Sequence, residues 1–261
     1  MMSFDKFREV ALSYLRYVII AIIVVLMWVF SVRAMHAQPL PLVRAQHESF
    51  VSYYDLEKHN PALVVYPLEF SHFAGANKIG NRHFKMDTQL PRPRVKDSDY
   101  SNTGYVRGHL CSAGDRDSDK SWLKETYLTS NMVPMTMICN CGAFKAIEDS
   151  CRALAMRGHR LLIGRAPVYG DIPTCLRQVS QARVCITIPE AFFCVAMCRD
   201  CDLRFIQVCY NHGTSELQDV LQSGRADTYD VIQFNRDERI SILLTNIFGS
   251  WSREEYETIT R

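Results

Sequence analysis

Two neighbouring stretches, residues 105–115 (YVRGHLCSAGD) and residues 127–152 (YLTSNMVPMTMICNCGAFKAIEDSCR), carry the most informative sequence of the chain. In the first, Arg107 and His109 are two residues apart, which directs both side chains to one face of a strand. Gly108 between them leaves the backbone open to close approach. Arginine binds phosphate through a fork of donors, and histidine transfers a proton near neutral pH. The pair therefore favours an anionic substrate.

The second stretch predicts a helix over residues 140–158. Apolar residues recur there at helical spacing, and Gly158 fits the position just past the helix end. The same helix also carries four side chains spaced four residues apart, which lie close to one face of the helix. They belong to Asn140, Phe144, Glu148 and Arg152.

An amide oxygen and a carboxylate on one helix face suit Mg²⁺, which prefers oxygen ligands and keeps most of its waters. Taken singly, each residue has a plainer interpretation. Asn140 is typical of a helix N-cap, Glu148 with Arg152 is an ordinary ion pair, and His109 is more often structural. Their joint occurrence favours a site.

Around these stretches the pattern is strands, a central helix, more strands and a terminal helix, which predicts an α+β fold with a mixed or antiparallel sheet. No glycine-rich phosphate loop and no GxSxG motif supports a nucleotide kinase or an esterase. The strands are expected at 62–66, 104–110, 126–131, 161–168, 184–188, 191–198, 203–210 and 229–234, and the terminal helix at 235–248.

The order of the motifs resembles the DNA/RNA non-specific endonucleases, also called ββα-metal nucleases, a family that includes endonuclease G. The family pattern is DRGH, then NMxPQ, then an asparagine that opens a helix carrying a glutamate. Residues 106–109 (VRGH), residues 131–135 (NMVPM), Asn140 and Glu148 match it in order and spacing. The resemblance is densest over residues 104–152.

The resemblance implies a Mg²⁺-dependent endonuclease that hydrolyses phosphodiester bonds of DNA and RNA with little sequence preference, with Mn²⁺ as a substitute. By position, His109 is the general base, Asn140 the direct metal ligand, and Glu148 the residue that orients metal-bound water. Arg107 and Arg152 support the phosphate. Supporting or substrate-binding roles are expected for Asn131, Gly108 and Lys145, and the family suggests a homodimer.

Three positions depart from the family pattern. Val106 replaces the aspartate of DRGH, Met135 replaces the glutamine of NMxPQ, and Pro67 stands where an arginine is expected. Strand alternation turns residue 106 away from Arg107 and His109. These departures keep a second hypothesis open, a catalytically weakened member that binds nucleic acid or protein. A disulfide-rich interaction domain and an unrelated phosphodiesterase are further alternatives.

The N-terminus is predicted to be an export leader. Residues 17–32 (YVIIAIIVVLMWVFSV) form an uncharged apolar run of roughly one bilayer-core length, preceded by basic residues. Residues 1–37 are either a signal peptide or a signal anchor with a hydrophobic helix. Residues 38–60 are expected to be a linker and residues 61–261 the catalytic domain. The domain would then lie outside the cytoplasm, tethered to a membrane or secreted.

The ten cysteines agree with an oxidising compartment. They are even in number, so five disulfides are possible, but the sequence does not give their connectivity. Cys198 and Cys201 form a CxxC in an expected turn between strands. A disulfide or plain thiols, a zinc site and a redox pair all remain open there, with the first favoured because no second CxxC occurs.

The charge balance adds one constraint. The formal net charge of the 261 residues is +2, and residues 1–37 account for all of it. The remaining chain is neutral, with 26 basic and 26 acidic residues. A neutral body argues against tight general binding of nucleic acid and favours a local basic cluster that contacts few phosphates, with salt-sensitive binding.

Overall fold

The computed structural model describes residues 42–80, 83–176, 184–201 and 203–211, together with Arg239 and Leu244. The apolar run 17–32 and the predicted strand 229–234 lie outside these residues, as does most of the predicted terminal helix. Arg239 and Leu244 are both helical. Within the described part of the chain, no helix is long and apolar enough to cross a bilayer.

A six-stranded antiparallel sheet with strand order β1-β2-β3-β6-β9-β10 forms the body of the protein. Its central strands are nearly continuous apolar runs because both faces are covered. Val64 and Tyr66 of β3 enter one core cluster, and Leu63 and Val65 enter another. The strands are β1 Val43–Gln46, β2 Val51–Asp55, β3 Asn60–Leu68, β6 Leu161–Val168, β9 Ala191–Cys198 and β10 Arg204–Tyr210.

The first two strands correct the prediction of a linker over residues 38–60. β1 and β2 lie inside that range, β1 pairs antiparallel with β2, and β2 pairs antiparallel with β3. The polar residues of this stretch are compatible with strands because their side chains form hydrogen bonds with residues distant in sequence. Ser52, for example, is fully buried and donates to the backbone carbonyl of Ser130.

A ββα unit lies beside the large sheet. Strand β4 (Val106–His109) pairs antiparallel with β5 (Met132–Met135), with His109 opposite Met132. Two helices follow, α2 (Met137–Cys141) and α3 (Ala143–Met156), and a short α1 (Lys120–Glu125) precedes β5. The strand predicted at 126–131 is wrong: Thr129–Asn131 form a 3-10 helix whose side chains are buried. Strand β5 begins at Met132, directly after this 3-10 helix.

The single helix predicted over residues 140–158 is two helices. They meet at Gly142, whose backbone has φ −105° and ψ −104°. Asn140 is therefore the fourth residue of α2 and not an N-cap, because the Thr136 side chain caps α2 by accepting from the Cys139 amide. The apolar stripe is confirmed by burial of Phe144 and its neighbours along α3. Gly158 follows the helix end with φ +91°.

The remaining strands follow the prediction closely. β6 and β9 have the predicted bounds, β10 begins one residue later, and the strand predicted at 184–188 shortens to β8 (Thr187–Ile188), which pairs with β7 (Thr174–Cys175). The α+β class with antiparallel sheets is confirmed. One disulfide joins Cys175 and Cys185, and the other eight cysteines, all described, are free thiols.

Candidate active site

His109 ends strand β4 and is held between two aromatic rings. Its imidazole centroid lies 4.9 Å from that of Phe84 and 5.0 Å from that of Tyr127, which it meets edge to face. The side chain is half-buried. Contacts with these two rings restrict the imidazole to few orientations, and a fixed orientation is needed for proton transfer by a histidine.

Asn131 supports the end of this strand. Its side-chain oxygen accepts from the Cys111 amide at 2.7 Å, and its amide nitrogen donates to the carbonyls of Cys111 and Thr126, both at 2.9 Å. The residue is fully buried. Both amide hydrogens are thus donated to backbone, so Asn131 braces the site and has none left for a substrate.

Arg107 points to a carboxylate. Its guanidinium forms an ion pair with Asp97 and donates to the Asp97 backbone carbonyl. It also lies 5.7 Å from the centroid of the Tyr100 ring. The Arg107 side chain as a whole is a quarter exposed. Arg107 therefore already has an anionic partner within the protein.

The departures at residues 106 and 135 lie on the core side of the unit. Val106 packs against the main core cluster, and Met135, opposite it in β5, is fully buried. A Cβ placed on Gly108 would lie 2.7 Å from the Met135 methyl carbon. Met135 therefore fills the space beneath Gly108, and Val106 faces away from His109 as strand alternation predicts.

Asn140 is presented by the short helix α2, which lies against β4. Its side-chain nitrogen lies 3.9 Å from the Cys141 sulfur, the one side-chain hydrogen bond that Asn140 makes within the described chain. The neighbouring Cys139 thiol is buried and lies 3.8 Å from the Cys209 sulfur. The amide oxygen of Asn140 is therefore available to an outside partner, and neither flanking cysteine is oxidised.

Glu148 of α3 lies between two arginines. Its Oε1 is 3.4 Å from Arg165 Nη1, and its Oε2 is 3.6 Å from Arg152 Nη2. Burial raises the pKa of the Glu148 carboxyl, and the nearby Asp115 adds to this, while Arg165 and Arg152 act in the opposite direction. The site thus holds a poorly solvated carboxylate that is loosely bound by its cationic neighbours.

Asp115 completes the charge cluster, although no sequence motif indicates a role for it. It is fully buried and accepts from the Tyr66 hydroxyl at 2.8 Å and from Arg152 Nη1 at 2.6 Å. Arg165, also fully buried, lies 3.9 Å from it and donates to the Leu110 carbonyl at 3.0 Å. The cluster therefore joins α3 to the residue directly after His109.

A signal for this cluster is present in the sequence. Arg165 interrupts the otherwise apolar strand LLIGRAPV, and a charge within a buried strand requires a partner. Burial lowers the pKa of Arg165, but its neighbours outweigh burial and raise the pKa above the ordinary value. These neighbours are Tyr66, Cys194, Glu148 and Asp115. Identifying that partner as Asp115, fifty residues away, requires the fold.

Lys145 lies at the margin of the site. It is exposed and pairs with Asp149 at 2.6 Å, one turn along α3. Asp149 also accepts from Arg152 at 2.7 Å. Within the described chain, Lys145 is therefore connected to the charge cluster through Asp149, and no hydrogen bond or ion pair joins it to His109 or Asn140.

A basic cleft of about 650 Å³ lies near the Arg107 side of the site. Three cations, Arg92, Arg94 and Lys96, and one acid, Asp99, line it, and Lys96 directly precedes the Asp97 that pairs with Arg107. The body of the chain is neutral overall, so these three side chains form a local concentration of positive charge. A polyanion can follow such a surface toward Arg107.

Known proteins resemble this chain over part of their length. "Nuclease EXOG, mitochondrial" from Xenopus laevis is 28% identical over 138 residues, which are 51% of this chain and 38% of that protein. "Nuclease" from Nostoc sp. is 34% identical over 116 residues, 44% of this chain and 42% of that one. "Endonuclease G, mitochondrial" from Caenorhabditis elegans is 26% identical over 160 residues, covering 58% and 52%. The chain thus spans about half or less of these relatives.

A solved structure and a family model match the chain over longer stretches than these relatives do. A solved structure of the EndoG/EndoGI complex, which concerns the mechanism of EndoG inhibition, aligns with a TM-score of 0.57 at 20% identity and covers 76% of this chain and 85% of that one. This likeness shows the fold. The family model described as DNA/RNA non-specific endonuclease matches residues 35–236. The chain therefore belongs to the DNA/RNA non-specific endonuclease family.

Proposed function

We propose that the chain is a metal-dependent endonuclease that hydrolyses phosphodiester bonds of DNA and RNA with little sequence preference. One observation carries the proposal: helix α2, which presents Asn140, lies against strand β4, which ends in His109. The charge cluster of Glu148, Arg152, Asp115 and Arg165 binds the backbone next to that strand end. Family membership and the relatives' names support the same reaction.

The residues fit a hard divalent cation, with Mg²⁺ proposed and Mn²⁺ as a substitute. The Asn140 oxygen is available, and the Glu148 carboxylate has long contacts to its arginines. Oxygen donors of this kind suit Mg²⁺. Asn140 would hold the ion directly, and Glu148 would hold its waters. Once bound, the ion would stabilise charge on the phosphate and on the departing 3′-oxygen.

The chain's own side chains supply the proton transfer and the positioning. His109 accepts the proton of the attacking water, and the rings of Phe84 and Tyr127 keep its imidazole aimed. Arg107 supports the phosphate by taking it as a second anionic partner beside Asp97. Arg152 orients Glu148 and reaches the phosphate through its exposed edge. The products would carry a 5′-phosphate.

Substrate contacts are proposed to be to phosphates. Arg92, Arg94 and Lys96 carry no sequence information when they contact the backbone of a nucleic acid, so both DNA and RNA are accepted. Contacts to phosphates release counterions on binding, so cleavage is expected to fall as salt rises, by an extent that grows with the number of phosphates contacted.

The Arg107–Asp97 pair favours a second candidate, a weakened member that binds nucleic acid or a protein without cleaving it. In that case Asp97 keeps Arg107 from the phosphate. Val106 and Met135 are weaker support for it, because both lie on the core side of β4 and β5.

The test uses the full-length chain, purified in a mild detergent because of the apolar run 17–32. Plasmid DNA and a folded RNA are incubated with Mg²⁺, with Mn²⁺ and with a chelator. We expect both to be cleaved with either cation, and His109→Ala to lower the rate by about 10²–10⁴-fold. His83→Ala, an exposed histidine, is the matched control and should cleave normally.

Two outcomes would contradict the proposal. A wild-type protein that binds nucleic acid with either cation but leaves it intact would support the weakened member. Cleavage by His109→Ala at the wild-type rate would refute the base assignment. Circular dichroism of both variants separates loss of chemistry from loss of fold.

The location and the assembly of the chain are also proposals. Residues 1–37 are proposed to export the catalytic domain, with residues 17–32 as its membrane contact, and the Cys175–Cys185 disulfide supports an oxidising compartment. A homodimer is proposed from the family alone. Fractionation of cells expressing the full chain tests the first, and light scattering of the purified protein tests the second.

A further inference from the structure

A second group of chemically active side chains lies where the β9–β10 hairpin meets the end of helix α3. Cys198 ends β9, Cys201 lies in the hairpin turn, and His159 follows Gly158 after α3. His159 Nδ1 is 3.7 Å from the Cys198 sulfur and 3.6 Å from the Cys201 sulfur. All three ligand atoms lie within 4.8 Å of one another. The group shares no residue with the candidate active site.

The two nitrogen–sulfur separations match the corresponding edges of a zinc tetrahedron. With zinc–sulfur bonds of about 2.3 Å and zinc–nitrogen bonds of about 2.0 Å, tetrahedral angles place nitrogen and sulfur ligands about 3.5 Å apart. Both measured nitrogen–sulfur separations are within 0.2 Å of that value. Two thiolates and an imidazole are soft and borderline ligands, which select zinc over magnesium.

The backbone around the group is fixed by hydrogen bonds. The Cys198 amide donates to the Leu203 carbonyl at 2.8 Å and closes the hairpin turn. The Arg199 amide donates to the Arg160 carbonyl at 2.7 Å, which attaches the turn to the segment carrying His159. The ligands therefore come from two segments already held together, and an ion would find them preorganised.

Burial of the three side chains leaves one side open. Cys198 is 5% exposed, His159 is intermediate and Cys201 is exposed. A bound ion would be covered from the protein side and would meet solvent on the other. A water molecule can therefore take the fourth position.

We propose that His159, Cys198 and Cys201 bind one Zn²⁺ ion, with water as the fourth ligand, at a site separate from the active site. The ion fastens the β9–β10 turn to the end of α3. Because α3 carries Glu148 near its middle, the ion supports the nuclease site from a distance without entering the reaction. The proposal does not depend on nuclease activity.

The test measures metal in the reduced full-length protein. Prepared without chelator and then dialysed, the wild type should retain about one equivalent of zinc per chain. Cobalt added to the metal-free protein should produce a thiolate-to-metal absorption band and tetrahedral d–d bands. The variant His159→Ala/Cys201→Ser should lose both signals. Cys141→Ser, which removes another exposed thiol, should keep both.

The proposal is overturned by a wild type that holds less than about a fifth of an equivalent of zinc and gives no cobalt bands. It is also overturned if the double variant keeps the metal, or if peptide mapping finds a Cys198–Cys201 disulfide that persists in the reduced preparation. The wild-type measurements decide the matter even where the double variant fails to fold.

Discussion

At the scale of single residues, the candidate site depends on a buried group of charges of which the sequence indicates one member, Arg165, but not its partners. Asp115 and Arg165 are both fully buried, and Arg152 and Glu148 extend the group toward solvent. Buried charges are tolerated when each has a partner, and removing one partner leaves the other uncompensated. The cluster therefore supports both the fold and the geometry of Glu148.

Replacement of Asp115 by asparagine tests this support. We expect Asp115→Asn to lower the free energy of unfolding by about 3 kcal/mol, because Arg165 and Arg152 lose a buried anionic partner. Thermal or urea unfolding of the full-length chain measures the loss. Asp149→Asn, an exposed acid on α3 that also pairs with Arg152, should cost less than about 1 kcal/mol. Equal stabilities of the two variants would refute the assignment.

At the scale of elements, the break between α2 and α3 places Asn140. Gly142 ends one helix and begins the next, and its backbone lies outside helical values. A Cβ at this position would lie 2.6 Å from the Ile138 carbonyl oxygen. That oxygen belongs to the backbone of α2, so a change of side-chain rotamer cannot relieve the contact.

The expected result of Gly142→Ala is therefore a shift of α2. We expect a loss of about 1–3 kcal/mol in stability, together with at least a roughly tenfold fall in cleavage, because Asn140 moves relative to His109. Gly80→Ala is the control, since a Cβ there meets nothing within 4 Å. Melting temperatures and initial cleavage rates of both variants are the measurements. Unchanged cleavage by Gly142→Ala would show that the break does not position Asn140.

Elements with a strong local period could be predicted from the sequence, and those that depend on distant partners could not. The apolar stripe of α3 is buried as predicted, although the helix itself is shorter than the predicted 140–158, and β6 and β9 have the predicted bounds. Local spacing of apolar residues is enough to indicate a buried helix stripe or a buried strand. β1 and β2 were missed, since their polar residues are satisfied across the fold, as Ser52 is by Ser130.

The same distinction holds within the site. The order of VRGH, Asn140 and Glu148 predicted which residues to examine, and the contact of α2 with β4 brings their elements together. The sequence could not predict that Thr136 caps α2 in place of Asn140, or that Arg107 has Asp97 as partner. Both depend on loop geometry, which follows from the packing of residues far apart in sequence.

At the scale of the whole molecule, Arg239 and Leu244, the two described residues beyond Asn211, both contact the large sheet. Leu244 is buried in the cluster on the second face of the sheet. Arg239 donates to Asp55 Oδ2 at 2.6 Å, at the end of β2. Asp55 also accepts from the amides of Glu57 and Lys58 and from the Lys58 side chain. One carboxylate thus joins two distant parts of the chain.

This carboxylate gives the protein an acid-sensitive contact. Burial raises the pKa of Asp55, but the Lys58 amide, the Lys58 ammonium and Arg239 outweigh it and hold the pKa below the ordinary value of 3.8. The folded state therefore binds its proton less tightly than the unfolded state does. The resulting stability is complete above the unfolded pKa and is lost as the pH falls through the lowered folded pKa.

Asp55→Asn should remove that contribution. We expect the variant to be about 1–3 kcal/mol less stable than the wild type near pH 7, and the difference to shrink steadily once the pH falls below about 4. Melting temperatures of both proteins from pH 7 to pH 3 give the difference directly. Glu48→Gln, at an exposed acid on the loop between β1 and β2, controls for the loss of one negative charge. A stability difference that stays constant down to pH 3 would mean that Asp55 acts through its shape and hydrogen bonds, and that the charge of its carboxylate does not hold Arg239.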